Sequence, residues 1–125
     1  MVEGNPITLI ENLVFPEDPR WAFGRLWFSD IHGFKVIAVD IHGNSETIAN
    51  VESRPSGLGW TPANDLLIVS MEDSKLLKKS GNNLDVIADL SKHGAFYSND
   101  MVVDKKGHAY IGHFGFDLYG SGERQ

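Results

Sequence analysis

The chain has no cysteine among its 125 residues. Disulfides, zinc–thiolate sites and thiol nucleophiles are therefore excluded. No apolar run approaches the roughly 20 residues that a membrane-spanning helix requires. The opening Met1-Val2-Glu3-Gly4-Asn5-Pro6 has neither a basic n-region nor an apolar h-region. No secretory signal is visible, and a cytoplasmic location is the expectation. Positive charge is scarce, with 11 Lys and Arg against 17 Asp and Glu and a formal net charge of −6. That balance argues against nucleic acid or an anionic membrane as partner, and it is compatible with a cation site. There is no convincing amphipathic helix and no Gly-x-Ser-x-Gly elbow to carry a nucleophilic serine. Gly57-Leu58-Gly59 is too short for a phosphate-cradling loop and opens no helix.

What the chain does have is short apolar runs between turn residues. Hydrophobic residues make up 42% and charged residues 22%, the composition of an ordinary globular domain. Separators such as His42-Gly43-Asn44, Pro62-Ala63-Asn64, Gly81-Asn82-Asn83 and Lys105-Lys106-Gly107 favour tight turns. The runs between them read as strands. The first set is Glu17–Trp21, Leu26–Ser29, Lys35–Asp40 and Thr47–Val51, and the second is Ser56–Trp60, Leu66–Met71, Lys75–Lys78 and Leu84–Ala88. Met101–Val103 and Ala109–Phe114 begin a third set, and Ile7–Ile10 reads as a further strand ahead of the first.

The sets form a repeat. Leu26 to Leu66 spans 40 residues and Leu66 to Ala109 spans 43. A period of about 40–45 residues with several short strands is the signature of β-propeller blades. The fold class expected is all-β, a single partial propeller over 1–125. Its blades cover about 13–52, 53–90 and, incompletely, 97–125. Propellers close with about four to eight blades, and there is room here for two and a half to three. Sheet edges left open at both ends invite self-association. The chain looks like the first half of a longer protein; a half-ring that dimerises into six units is the alternative.

Aligning the units on Trp21, Trp60 and Val103 places Glu17, Ser56 and Asn99 at one position, four residues earlier. A carboxylate, a hydroxyl and an amide oxygen converging on a channel mouth suit a hard divalent cation. The same residue types are also ordinary turn formers at strand starts. Among the histidines, His32 and His42 lie roughly 20 Å apart along a strand and cannot share a metal, so hairpin roles are expected. Trp21, Trp27 and Trp60 are expected in the blade core.

Three runs carry a family resemblance. They are Glu17-Asp18-Pro19-Arg20-Trp21 with Arg25 to Asp30, Arg54 to Trp60 with Leu66 to Met71, and Asn99 to Asp104 with Gly107 and Tyr110-Ile111-Gly112. In order and spacing, from about Leu13 to Asp117, the chain resembles the N-terminal half of the gluconolactonase/regucalcin (senescence marker protein, LRE-like) family. The resemblance implies a six-bladed propeller with one divalent cation in its channel, Ca²⁺ first, with Mg²⁺, Mn²⁺ or Zn²⁺ as alternatives. It implies metal-assisted hydrolysis of a sugar lactone or related cyclic ester. The family's metal-ligating glutamate falls on Glu17. Its asparagine, a contact of water or substrate and in some relatives a metal ligand, falls on Asn99. A serine ligand of some relatives corresponds to Ser56. Tyr97 stands where some lactonases place a substrate-binding arginine, so Asn99 and Tyr97 are the candidate substrate contacts. Asp18 stands where the family usually has glycine. The family's later asparagine and aspartate ligands, the aspartate being its usual general base, have no counterpart, so the catalytic base is unassigned. A non-catalytic ligand- or protein-binding propeller fragment and an inactive truncated product are the competing readings.

Overall fold

The computed structural model describes residues 4–93 and 96–114. The part of the third unit expected beyond residue 114 lies outside the described residues. The first four-stranded sheet contains β1 (Pro16–Ala22), β2 (Arg25–Asp30), β3 (Lys35–Val39) and β4 (Ser45–Asn50). The second contains β5 (Pro55–Trp60), β6 (Leu66–Ser70), β7 (Lys75–Ser80) and β8 (Asn83–Asp89). β9 (Ser98–Val103) and β10 (Ala109–His113) form a two-stranded sheet. All pairings are antiparallel, and strand order follows chain order. Each sheet is therefore a meander of hairpins. Among the described residues no helix is long and apolar enough to cross a membrane.

Local chemistry explains the turns. Asp40 Oδ1 accepts hydrogen bonds from the backbone N–H of His42 at 2.9 Å and of Asn44 at 3.0 Å. Asp104 Oδ1 repeats this with Lys106 and His108, both at 2.9 Å. The residue that must take a positive φ is Gly43 in one turn and Gly107 in the other, where glycine has no Cβ penalty.

Packing follows the period-2 alternation of side chains along a strand. Leu66 and Ile68 point back to the first sheet, joining Leu58 and Leu77 against Trp27, Val36 and Ala38. Leu67 and Val69 point forward, joining Leu76 against Met101, with Val103 and Ile111 at the margin. Both faces of β6 are thus covered, and all five of its residues are buried. β5 lies so close to β9 that a Cβ on Gly57 would stand 2.5 Å from Met101 N.

Two expectations are corrected. Ile7–Ile10 forms no strand. Instead Leu9, Ile10 and Leu13 pack on Phe28, Ile37 and Val39 and cover the back of the first sheet. Asp30, wholly buried, pins the end of this segment by accepting the Val14 N–H at 3.0 Å and the Phe15 N–H at 2.6 Å. The segment is held by burial and by one carboxylate, with no ladder. Trp21 is not core: it is 60% exposed, whereas Trp27 is buried and Trp60 packs against the core. Alternation is the reason, since Ala22 takes the core-facing place at the end of β1 and its neighbour must face the other way.

Candidate metal and substrate rim

The innermost strands β1, β5 and β9 lie side by side, β1 against β5 and β5 against β9. Each carries a β-bulge near its start, where two residues oppose one on the partner strand. On β5 the register shifts between Pro55 and Leu58, leaving Ser56 and Gly57 in the bulge. On β9 it shifts between Ser98 and Met101, leaving Asn99 and Asp100. On β1 it falls one residue later in the repeat, between Glu17 and Arg20, leaving Asp18 and Pro19.

The bulges set which side chains meet. Ser56 Oγ is buried and lies 2.8 Å from Asn99 Oδ1 and 3.1 Å from Asp18 Oδ2. A hydroxyl, an amide oxygen and a carboxylate from three sheets therefore touch. A second serine supports the group from behind, with Ser29 Oγ donating to the Ser56 carbonyl at 2.6 Å. Of the residues expected from sequence, Ser56 and Asn99 are in direct contact. Glu17 is exposed, and no hydrogen bond joins it to either. It lines a groove of about 220 Å³ with Leu13, Pro19 and Phe28, yet it lies close enough for its charge to act on Asp18. Tyr97 immediately precedes β9, and its carbonyl accepts the Phe114 N–H at 2.9 Å. His32 lies against Phe15, the two rings tilted at 55°, and His42 sits in the Asp40 turn.

The residue that sequence reasoning did not place here is Asp18. It is only 8% exposed and holds φ at 58°. Burial pushes its carboxyl up to about 6; Asp100 and Glu17 push the same way, and the Ser56 hydroxyl partly opposes them. The rim also holds one guanidinium, Arg20, whose Nη2 donates to Asp100 Oδ1 at 2.7 Å and to the Met101 carbonyl at 2.8 Å. Arg20 ties the first sheet to the third. Glu17, Asp18 and Asp100 together outnumber it, so the rim's field favours a cation.

The family model described as "SMP-30/Gluconolactonase/LRE-like region" matches residues 15–124. The chain belongs to this family. No curated protein matches it. Membership in the SMP-30/gluconolactonase/LRE-like family gives the three sheets their meaning as successive propeller blades, β1, β5 and β9 being the inner strands.

The donor set can be tested against the divalent cation that this family implies. Among the described residues no three His, Cys, Asp or Glu side chains form one metal-holding group. The oxygens that do converge are one carboxylate, one hydroxyl and one amide, with a second carboxylate adjacent. All are hard donors and none is nitrogen or sulfur, which fits Ca²⁺ or Mg²⁺ better than a softer metal.

Proposed function

We propose that this chain forms part of a cation-dependent hydrolase of a sugar lactone or related cyclic ester, in the manner of gluconolactonases. The observation that supports this reading is the contact of Ser56 with Asn99 and Asp18, which brings oxygen atoms from three blades together beside Glu17. Glu17, Ser56 and Asn99 would hold the cation, with Ca²⁺ the best fit to an all-oxygen set. When bound, a divalent cation supplies Lewis-acid polarisation of an ester carbonyl and eases ionisation of water.

The chain's own residues do the rest. The Asn99 amide orients a carbonyl or a water by hydrogen bonding. Tyr97, one residue before β9, offers a contact for the sugar ring at the same end of the blade. Burial of Ser56 fixes the rotamer of a ligand that would otherwise lose entropy on binding. No general base is assigned to these residues.

The test is hydrolysis of a six-membered sugar lactone by the metal-depleted chain, with Ca²⁺, Mg²⁺, Mn²⁺ or Zn²⁺ restored in turn. Turnover should require one of them. Glu17→Gln should lower it by at least about tenfold, the loss that removal of an outer-sphere partner alone can cause. A folded sample with no cation-dependent turnover would retire the enzymatic reading in favour of a binding propeller.

A further inference from the structure

We propose that Asp18 is itself a ligand of the rim cation, reaching it from the first blade beside Ser56 and Asn99. This rests on the cation reading above and extends it to a residue outside the Glu17–Ser56–Asn99 set.

Ser56 Oγ lies within hydrogen-bond distance of both Asp18 Oδ2 and Asn99 Oδ1. A hydroxyl carries one hydrogen; an ionised carboxylate oxygen and an amide oxygen carry none. With the Asn99 amide oriented oxygen-inward, three oxygens meet around a single hydrogen, and one of the two contacts sets lone pair against lone pair. In a buried place such a pairing costs free energy. A cation removes the conflict because it accepts all three oxygens at once. Arg20 does not serve this purpose, since its guanidinium is directed to Asp100 and to the Met101 carbonyl.

The placement of Asp18 adds weight. Its φ of 58° is a conformation that glycine adopts freely and that a side-chain-bearing residue adopts at a cost. Its carboxylate is buried beside two further acids, Asp100 and Glu17. The Ser56 hydroxyl already has Asn99 Oδ1 as an acceptor at 2.8 Å and does not need a second. A strained, desolvated carboxylate that satisfies no otherwise orphaned donor is costly as a structural element. Its cost is offset if it binds a cation.

Two rival arrangements resolve the same conflict. The Asn99 amide can turn so that Nδ2 donates to Ser56, or Asp18 can hold a proton and donate it. Either makes the triad a hydrogen-bonded clasp, and neither gives Asp18 a part in cation affinity.

The experiment is Ca²⁺ titration of the metal-depleted chain by calorimetry, with Tb³⁺ luminescence as a second readout. The variants are Asp18→Asn, Asp18→Gly and Glu17→Gln. Asp18→Gly suits the backbone at this φ, so folding is retained, and far-ultraviolet circular dichroism checks it. Wild type should bind, and both Asp18 variants should bind about tenfold or more weakly, because affinity follows ligand charge count. Wild-type affinity in both Asp18 variants, with loss in Glu17→Gln, would overturn this proposal and leave the cation reading standing. No binding of Ca²⁺ or Tb³⁺ by wild type would overturn both.

Discussion

Asp18 makes stability depend on pH in a direction opposite to that of most carboxylates. Its carboxyl is raised from 3.8 to about 6, chiefly by burial and then by Asp100. A raised value means the folded state holds the proton more tightly than the unfolded chain does. The stabilising contribution is complete below pH 3.8 and is lost as pH rises through about 6. A shift of this size is worth on the order of 1–3 kcal/mol. Asp18→Asn has no proton to lose. In a chelator, the urea midpoint of wild type should therefore fall relative to that of Asp18→Asn between pH 4.5 and pH 7.5. Parallel curves for the two proteins would show that Asp18 titrates as it would in water. Trp21 shows the same dependence on local geometry: its size suggested core, but alternation along β1 gave the buried place to Ala22.

The inner strands are the elements that bring the rim together, and Gly57 sets their spacing. A Cβ there would meet Met101 N at 2.5 Å, Asp100 C at 2.7 Å and Asn99 O at 2.9 Å, all backbone atoms that cannot swing aside. Gly57→Ala must therefore push β9 away from β5. The expected cost is about 1–3 kcal/mol in urea unfolding, together with weaker cation binding as Asn99 withdraws from Ser56. Gly112→Ala on β10 is the control, because among the described residues nothing lies within 4 Å of its would-be Cβ. It should change stability by less than about 0.5 kcal/mol, and equal losses in the two variants would refute the close-approach argument. The strands themselves were legible in the sequence, since alternating apolar runs and Asp/Gly turns mark Leu66–Ser70 and Lys35–Val39 to within a residue. The bulges were not, because no periodicity says where an extra residue is inserted. Counting back four residues from Trp21 lands on Glu17, but the β1 bulge falls on Asp18 and Pro19 and turns Asp18 toward Ser56. Pro19 was the available signal, since a proline inside a strand belongs at an edge or a bulge. Ile7–Ile10 failed for another reason. Hydrophobicity marks burial, and burial against Phe28 and Val39 does not require a ladder.

At the scale of the whole molecule the two end sheets differ. The back of the first sheet is covered by Leu9, Ile10 and Leu13, packed on Phe28, Ile37 and Val39. Among the described residues none covers the forward face of the β9–β10 sheet, where Val102 is 64% and Tyr110 62% exposed. Tyr110 occupies the place held by Leu67 and Trp27 in the preceding sheets, where both are buried by the next blade. An apolar face at a position built for coverage favours association. Head-to-tail pairing of two copies into a ring needs the back of the first sheet, and that face is already taken. Pairing of the β9–β10 face with the same face of a second copy uses a surface that no described residue covers, and such an isologous contact closes at two. The expected behaviour is therefore a monomer–dimer equilibrium in sedimentation, with mass reaching a plateau at twice 13.8 kDa. Val102→Glu combined with Tyr110→Glu should raise the dissociation constant by at least about tenfold, because like charges would then face each other across the two-fold axis. The circular dichroism of this double variant should match wild type, since neither side chain is part of the core. A strictly monomeric wild type, or a dimer indifferent to the two glutamates, would place the contact elsewhere.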